Sequence, residues 1–287
     1  MAYATETNLT GIAIDNWKNI PDARLRNVMT SAIKHLHAFV REIEPTGDEW
    51  FAAIDWLTQV GKMSNEKRQE FIIVSDVLAV SMLVDAINNR LATGATPSTV
   101  EGPFHLDNTR QLSDGEDMSN GAPGSPCFIS GKVTDLDGKA IGGASLDFWQ
   151  ADGEGLYEAQ REGRDQYLRG IYRSKLDGTY LVQTVAPIGY TIPTDGPVSE
   201  LMKRTKISVY RPAHVHFCLE APGYHRLVTH LFRKGDQYID TDVVYAVKEP
   251  LITDFMERPA GTEAPTGEKL NVPFYEVHYD FVLQRIE

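Results

Sequence analysis

The apolar positions change their period about a third of the way along this chain. From Arg24 to Ile43 they fall at Leu25, Val28, Met29, Ala32, Leu36, Phe39, Val40 and Ile43, three and four apart, which predicts one amphipathic helix. Pro45 ends it. Thr46-Gly-Asp-Glu49 then has the form of a capping box, in which the threonine hydroxyl and the glutamate carboxylate satisfy free amides of a second helix reaching about Met63. A third helix is predicted from Asn65 to Leu91 with Ser64 as its cap. It is apolar on most faces through Phe71, Ile72, Ile73, Val74, Val77, Leu78, Val80, Met82, Leu83 and Val84, which predicts a central position.

Beyond Thr93-Gly-Ala-Thr-Pro-Ser98 the pattern becomes short alternating runs between turn residues. Asp137-Gly138 and Asp177-Gly178 each lie between such runs, the strongest short-range signal for a hairpin. Leu146, Phe148 and Gln150 point one way from their strand, Asp147 and Trp149 the other. Tyr275, Val277, Tyr279, Phe281 and Leu283 alternate with polar residues in a last half-buried strand. Strands at this spacing predict a β-sandwich, so the expected class is α+β, with a helical region over residues 1–95 followed by a sandwich over 96–287. Residues 107–125 and 190–210 lack periodicity and read as long functional loops.

Composition narrows the function. The 287 residues carry a net charge of −12, with no cluster of Lys and Arg, which argues against a nucleic-acid partner. Only two cysteines occur, Cys127 and Cys218, both in apolar strand contexts where a small buried hydrophobe is expected. The stretch from Phe71 to Ile87 is interrupted by Asp76 and Asp85, so no membrane span is expected, and the N-terminus lacks the basic-then-apolar pattern of a secretion signal; a cytoplasmic location is the expectation. Gly-x-Ser-x-Gly, Gly-x-x-x-x-Gly-Lys and helical His-Glu-x-x-His motifs are all missing, which argues against serine acyl transfer, nucleotide hydrolysis and helical zinc chemistry.

Two histidine pairs remain to be weighed among the eight histidines. His35 and His37 lie two apart on a predicted helix, where they point about 200° from each other and cannot share a metal. His214 and His216 are also two apart, but Ala213-His-Val-His-Phe-Cys-Leu219 reads as a strand, on which residues i and i+2 project from one face. One metal could bind both; two satisfied core histidines are the other reading. Glu220, His225 and His230 offer no recognised zinc spacing. A harder ion would accept phenolate oxygen, yet Tyr157 and Tyr190 cannot be chosen by spacing from the 12 tyrosines.

Several ordered motifs resemble the intradiol ring-cleaving dioxygenases over nearly the whole chain. They are Val100-Glu-Gly-Pro-Phe-His105, Asp147-Phe-Trp-Gln-Ala-Asp-Gly-Glu-Gly-Leu-Tyr157, Tyr190-Thr-Ile-Pro-Thr-Asp-Gly-Pro197 and Tyr210-Arg-Pro-Ala-His-Val-His-Phe217. Within the family the chain looks most like the branch acting on hydroxyquinol, with the catechol branch next. The resemblance implies a ferric ion bound by Tyr157, Tyr190, His214 and His216, with Tyr190 both ligand and base and Arg211 set against the ring. It implies an aromatic diol or triol and O2 as substrates, and a homodimer formed through the N-terminal helices, often around a phospholipid. It places Ile73, Asp76, Val100, Gly102, Pro103, Phe104, Ile192, Pro193, Arg211 and Val244 around the ring. Asp76 would accept a hydrogen bond from the extra hydroxyl of hydroxyquinol; a helix-surface or inter-helix hydrogen bond is its other reading. Where catechol dioxygenases usually carry a glutamine, this chain has His230, in Thr229-His-Leu-Phe232, a form resembling the hydroxyquinol branch. From another class altogether, a metal-poor sandwich that merely binds an aromatic or lipid ligand stands as the alternative.

Overall fold

A computed structural model describes residues 3–65, 68–107, 109–161, 163 and 166–286. The chain divides into two compact units, Met1–Gln59 and Val60–Glu287.

In the first unit, α1 (Leu9–Trp17) precedes α2 (Ala23–Ile43), and α3 (Gly47–Met63) runs on into the second. Asp22 caps α2, its Oδ1 accepting from Leu25 N at 2.9 Å. The expected capping box is present: Thr46 Oγ1 accepts from Glu49 N at 3.2 Å, and Glu49 Oε2 accepts from Thr46 N at 2.8 Å. The short α1 has no side-chain cap bond from Asn8 at its N-cap position. It is tied to α2 by Thr10 Oγ1, which lies 3.0 Å from His37 Nδ1 and accepts from Arg41 Nη2 at 2.8 Å. No residue of α2 is buried, so its apolar stripe stays on the surface of this chain.

The second unit corrects the expectation of one central helix from Asn65 to Leu91. Two helices stand there, α4 (Glu70–Val77) and α5 (Val80–Asn88), interrupted at Leu78–Ala79, where Ala79 takes φ +57°. A left-handed alanine costs about 1–2 kcal/mol. Burial of Glu70, Ile73 and Asp76 along one face of α4, three residues apart, offsets it. Most of the other apolar residues, Phe71, Ile72, Leu78, Val80, Leu83 and Val84 among them, are exposed, so these helices are not central.

Two five-stranded sheets follow. In one, β1 (Pro126–Asp135) pairs antiparallel with β4 (Thr179–Val185) and parallel with β11 (Phe274–His278) and β12 (Phe281–Leu283), and β10 (Met256–Arg258) flanks β11. The other has the order β3 (Arg169–Arg173), β2 (Ser145–Trp149), β7 (His214–Glu220), β8 (Leu227–Arg233), β9 (Ile252–Thr253). A separate ribbon pairs β5 (Tyr190–Thr191) with β6 (Tyr210–Arg211). Ile129, Val133, Val182, Val277 and Phe281 of the first sheet meet Leu146, Phe148, Val215, Phe217 and Leu231 of the second in one core, the expected sandwich.

Four local expectations change. Asp177-Gly178 forms a tight turn, with Gly178 N donating to Lys175 O at 2.8 Å, but it carries the chain from β3 in one sheet to β4 in the other and so is not a hairpin. Asp137-Gly138 turns back only as far as one isolated bridge between Thr134 and Ala140. The last strand is broken at Tyr279–Asp280 into β11 and β12. Residues 190–210 hold β5 and α6 (Pro197–Thr205), whose proline at the first turn is pre-set for helix, and are not a plain loop. Both cysteines are buried and unpaired, as expected.

Candidate metal centre and ring cavity

Strand alternation builds the floor of the site. On β7, Val215, Phe217 and Leu219 enter the sandwich core, so His214, His216 and Cys218 must face the other side of the sheet. The register places Trp149 of β2 and His230 of β8 directly beside His216, and Phe232 beside His214. Trp149 stacks on the His216 ring with centroids 4.8 Å apart and an interplanar angle of 18°. Five aromatic rings, those of His214, His216, Trp149, His230 and Phe232, thus stand on one face of three central strands, with Trp149 and His230 flanking His216.

The tyrosines reach this face from loops. Asp152, fully buried, accepts from Glu154 N, Leu156 N and Arg161 Nε at 2.9, 3.0 and 2.9 Å and shapes the turn that presents Tyr157. Gly155, at φ +81°, lies so close to Tyr190 that an added Cβ would stand 2.9 Å from its Cβ, so glycine is required where the two tyrosine segments cross. Tyr190 is held by its pairing with Arg211 across the β5–β6 ribbon.

Four donor atoms converge. Tyr157 Oη lies 2.9 Å from Tyr190 Oη, 2.9 Å from His216 Nε2 and 3.5 Å from His214 Nε2. Tyr190 Oη is 3.3 Å from His214 Nε2, and the two Nε2 atoms are 3.2 Å apart. His214 Nδ1 donates to Pro212 O at 2.7 Å, which leaves the lone pair on Nε2. Burial, and for the histidines neighbouring charge as well, drives all four groups toward their neutral forms, with both imidazoles held well below and both phenols held above their ordinary values. The neutral phenols and Arg211 Nη1 bring hydrogens to the two Nε2 lone pairs, and a single cation would draw on all four donors at once. Donors bound at about 2.0–2.1 Å to one ion, 90–110° apart, stand roughly 2.9–3.4 Å from each other. The observed spacing fits a metal ion, and a multivalent cation there would also favour the phenolate forms. Among the described residues His214, His216 and His230 form a group of potential metal ligands. His230 turns Nδ1 to Thr99 Oγ1, and its buried Nε2 has no partner.

Beside the donors lies a cavity lined by Ile73, Asp76, Val100, Gly102, Pro103, Phe104, Tyr190, Ile192, Pro193, Arg211 and Val244. Every residue that the family likeness assigns to the ring is in that lining, and Tyr190 joins them. Arg211 is buried; its Nε donates to Asp242 Oδ1 at 3.2 Å, its Nη1 lies 3.1 Å from His214 Nε2, and its Nη2 has no hydrogen-bond partner. Burial raises the carboxyl of Asp76 above its ordinary value, opposed by hydrogen bonding to Ser81 and by the nearby Arg211 charge. Phe104 stacks on Tyr157 at 4.3 Å, joining the cavity wall to the donors.

Comparison with known proteins fixes the family. A family model described as "Dioxygenase" matches residues 100–285, and one described as "Catechol dioxygenase N terminus" matches 22–96. The chain belongs to the intradiol dioxygenases. A 6-chlorohydroxyquinol 1,2-dioxygenase from Cupriavidus pinatubonensis is 44% identical, the match covering 96% of each chain. A hydroxyquinol 1,2-dioxygenase from a Rhizobium species is 41% identical over 99% of this chain and 97% of its own. Among solved structures, hydroxyquinol 1,2-dioxygenase from Pseudomonas putida DLL-E4 superposes with a TM-score of 0.90 at 42% identity, covering 98% of this chain and 99% of its own. Catechol 1,2-dioxygenase from Pseudomonas arvilla C-1 gives 0.86 at 25% identity, covering 98% and 92%. As an intradiol dioxygenase the chain is an enzyme acting on an aromatic diol or triol, and no described helix is long and apolar enough to cross a membrane.

Sequence reasoning passed over several neighbours of the site in this dioxygenase. Asp242, which pairs with Arg211, lies in a stretch without motif or periodicity. Arg169, buried, joins Glu158 and donates to Phe104 O at 3.2 Å. The role of Trp149 could have been found, since strand alternation assigns it to the face opposite Phe148.

Proposed function

We propose that this dioxygenase uses Fe(III) to open hydroxyquinol (1,2,4-trihydroxybenzene) with O2, giving 3-hydroxy-cis,cis-muconate, the tautomer of maleylacetate. The observation that carries the substrate is the buried Asp76 carboxyl, the one acidic group in a wall that otherwise holds Arg211, Tyr190 and apolar residues such as Ile73, Val100, Phe104 and Ile192. A third ring hydroxyl gives that carboxyl a hydrogen-bond donor that catechol lacks. The hydroxyquinol names of relatives at 40–44% identity support the same reading.

Tyr157, Tyr190, His214 and His216 would hold the iron. Bound there, Fe(III) supplies a Lewis acid that lowers the pKa of ring hydroxyls and activates the electron-rich ring toward oxygen. Tyr190 lines the cavity and takes up the proton that a ring hydroxyl gives up. Arg211, a permanent cation in the same wall, faces the negative charge that develops on the opening ring. The apolar walls exclude water from the reacting ring. His230, beside His216 in the strand register, packs its ring with centroids 4.1 Å from that ligand's ring and helps to fix its orientation.

The exposed apolar residues of α2 and α3, among them Leu36, Phe39, Trp50 and Phe51, support a homodimer formed through the helical region and a phospholipid held there. We place the domain division at residues 1–95 and 96–287, which the extents of the two family models support, and we propose a cytoplasmic location.

Oxygen uptake with hydroxyquinol and catechol side by side tests the substrate, a higher kcat/KM for catechol overturning it. The iron-loaded protein should be wine-red from phenolate-to-iron charge transfer. A colourless protein inactive after iron addition would instead favour the non-catalytic binding sandwich.

A further inference from the structure

Outside the four donors, one cluster of titratable groups stands against the cavity wall. His105 has both ring nitrogens engaged by carboxylates, Nδ1 at 3.1 Å from Glu101 Oε1 and Nε2 at 3.1 Å from Asp147 Oδ2. Two acceptors require two protons, so this geometry selects the imidazolium. The second oxygen of Asp147 is buried without any partner, which leaves His105 as the carboxylate's hydrogen-bonding counter-charge. Asp147 lies on β2 and Glu101 on the segment before Gly102, so the ring pins a loop to the sheet.

That loop is the cavity wall. Between Glu101 and His105 lie Gly102, Pro103 and Phe104, all lining the cavity. Gly102, at φ +78°, packs so close to His216 that a Cβ would stand 3.3 Å from its Cε1. Phe104 stacks on Tyr157. His105 itself meets the edge of Trp149, whose face covers His216, with centroids 4.7 Å apart.

We propose that His105, as an imidazolium bridging Glu101 and Asp147, is the positioning residue that sets the Gly102–Phe104 wall against the ring site. The inference rests on the reading of this cavity as the place where the aromatic ring binds. Besides the ring and its two carboxylates, the cluster holds two charged groups and one thiol. Arg226 donates to Glu101 Oε2 at 2.9 Å and to Glu220 Oε1 at 3.1 Å, and the Cys218 thiol, pushed up to about 12, stays neutral. With two carboxylates against it, His105 is raised from 6.5 to about 9, chiefly by Asp147 and Glu101. A raised folded-state value means that the clamp's contribution to stability is whole below pH 6.5 and is lost as pH rises through about 9, where the imidazolium itself gives up its proton.

The test compares iron-loaded wild type with His105→Gln, using the ring that turns over. At pH 7 the variant should bind iron normally, since no donor is removed, while kcat/KM per iron falls about tenfold, mostly through KM. The ratio of wild-type to variant kcat/KM should collapse toward one above pH 9, a comparison in which ionisation of the ring substrate cancels. The wild-type advantage in thermal midpoint, measured without substrate, should shrink over the same interval. Equal KM values, or a ratio that does not change with pH, would overturn the proposal. If His105→Gln does not fold, Glu101→Gln serves: one carboxylate fewer moves the alkaline inflection to lower pH, and an unmoved inflection overturns the proposal. Wild-type protein that cleaves no diol ring would sink the functional reading instead, which keeps the two failures apart.

Discussion

Replacing Arg211 by methionine separates the structural from the chemical role of the one buried cation in the cavity lining. Arg211 is 4% exposed and bonded through Nε to Asp242, whose carboxylate also accepts from Val244 N at 3.3 Å and Ala246 N at 3.0 Å. Methionine fills most of the stem but leaves Asp242 buried without its counter-charge. Breaking a buried pair from one side costs about 3–5 kcal/mol. The two backbone amides keep the loss near the lower end. For a chain of this size that lowers the thermal midpoint by roughly 6–12 °C. The double variant Arg211→Met/Asp242→Asn removes the stranded charge and should recover part of the lost stability, one of the two backbone amides losing its acceptor. Activity should not recover with it. Loss of a pre-placed cation that meets charge developing in the transition state costs about 10²–10³ in kcat. The assay is oxygen uptake per bound iron, alongside thermal unfolding, for wild type, single and double variants. If the stable double variant turned over within about threefold of wild type, Arg211 would be a structural ion-pair partner and its role at the ring would be refuted.

Asp76→Asn should lower kcat/KM for hydroxyquinol by roughly 10- to 100-fold, the worth of a hydrogen bond to a charged group, and change it little for catechol; parallel losses on both rings would remove Asp76 from substrate choice. Tyr190→Phe should retain iron better than His214→Ala while slowing ring cleavage, as metal analysis and single-turnover kinetics would show, and complete loss of iron in Tyr190→Phe would contradict its role as base. Gly102→Ala forces alanine into a left-handed conformation costing about 1–2 kcal/mol and presses a methyl on His216, so both the denaturation midpoint and KM should worsen; an unchanged KM would count against this contact as part of the site. Phe148→Ala, in the sandwich core between Phe217 and Tyr172, should cost about 3–5 kcal/mol in denaturant unfolding while the four donors remain intact, so iron per folded protein should not change.

The amphipathic stripe of α2, the Thr46–Glu49 cap, the alternation on β2 and the sharing of one face by His214 and His216 were all legible, because each depends only on local period and local hydrogen bonding. The break at Ala79 was not. No glycine or proline marks it, and the burial of Glu70, Ile73 and Asp76 that offsets its cost is a tertiary feature. The Asp177-Gly178 turn shows the same limit from the other side: its chemistry is visible in the dipeptide, but whether it closes a hairpin or changes sheets depends on which strands β3 and β4 meet.

For the site, sequence by itself determined that two histidines share a strand face and that particular motifs carry the family likeness. Tertiary structure decided the rest. It alone brings Tyr157 and Tyr190 within 2.9 Å of each other, sets His230 beside His216, stacks Trp149 on that ring and places Asp242 behind Arg211. Those partners come from separate loops and strands, and an encounter between distant segments follows from sheet register and loop closure, which no local pattern of residues encodes.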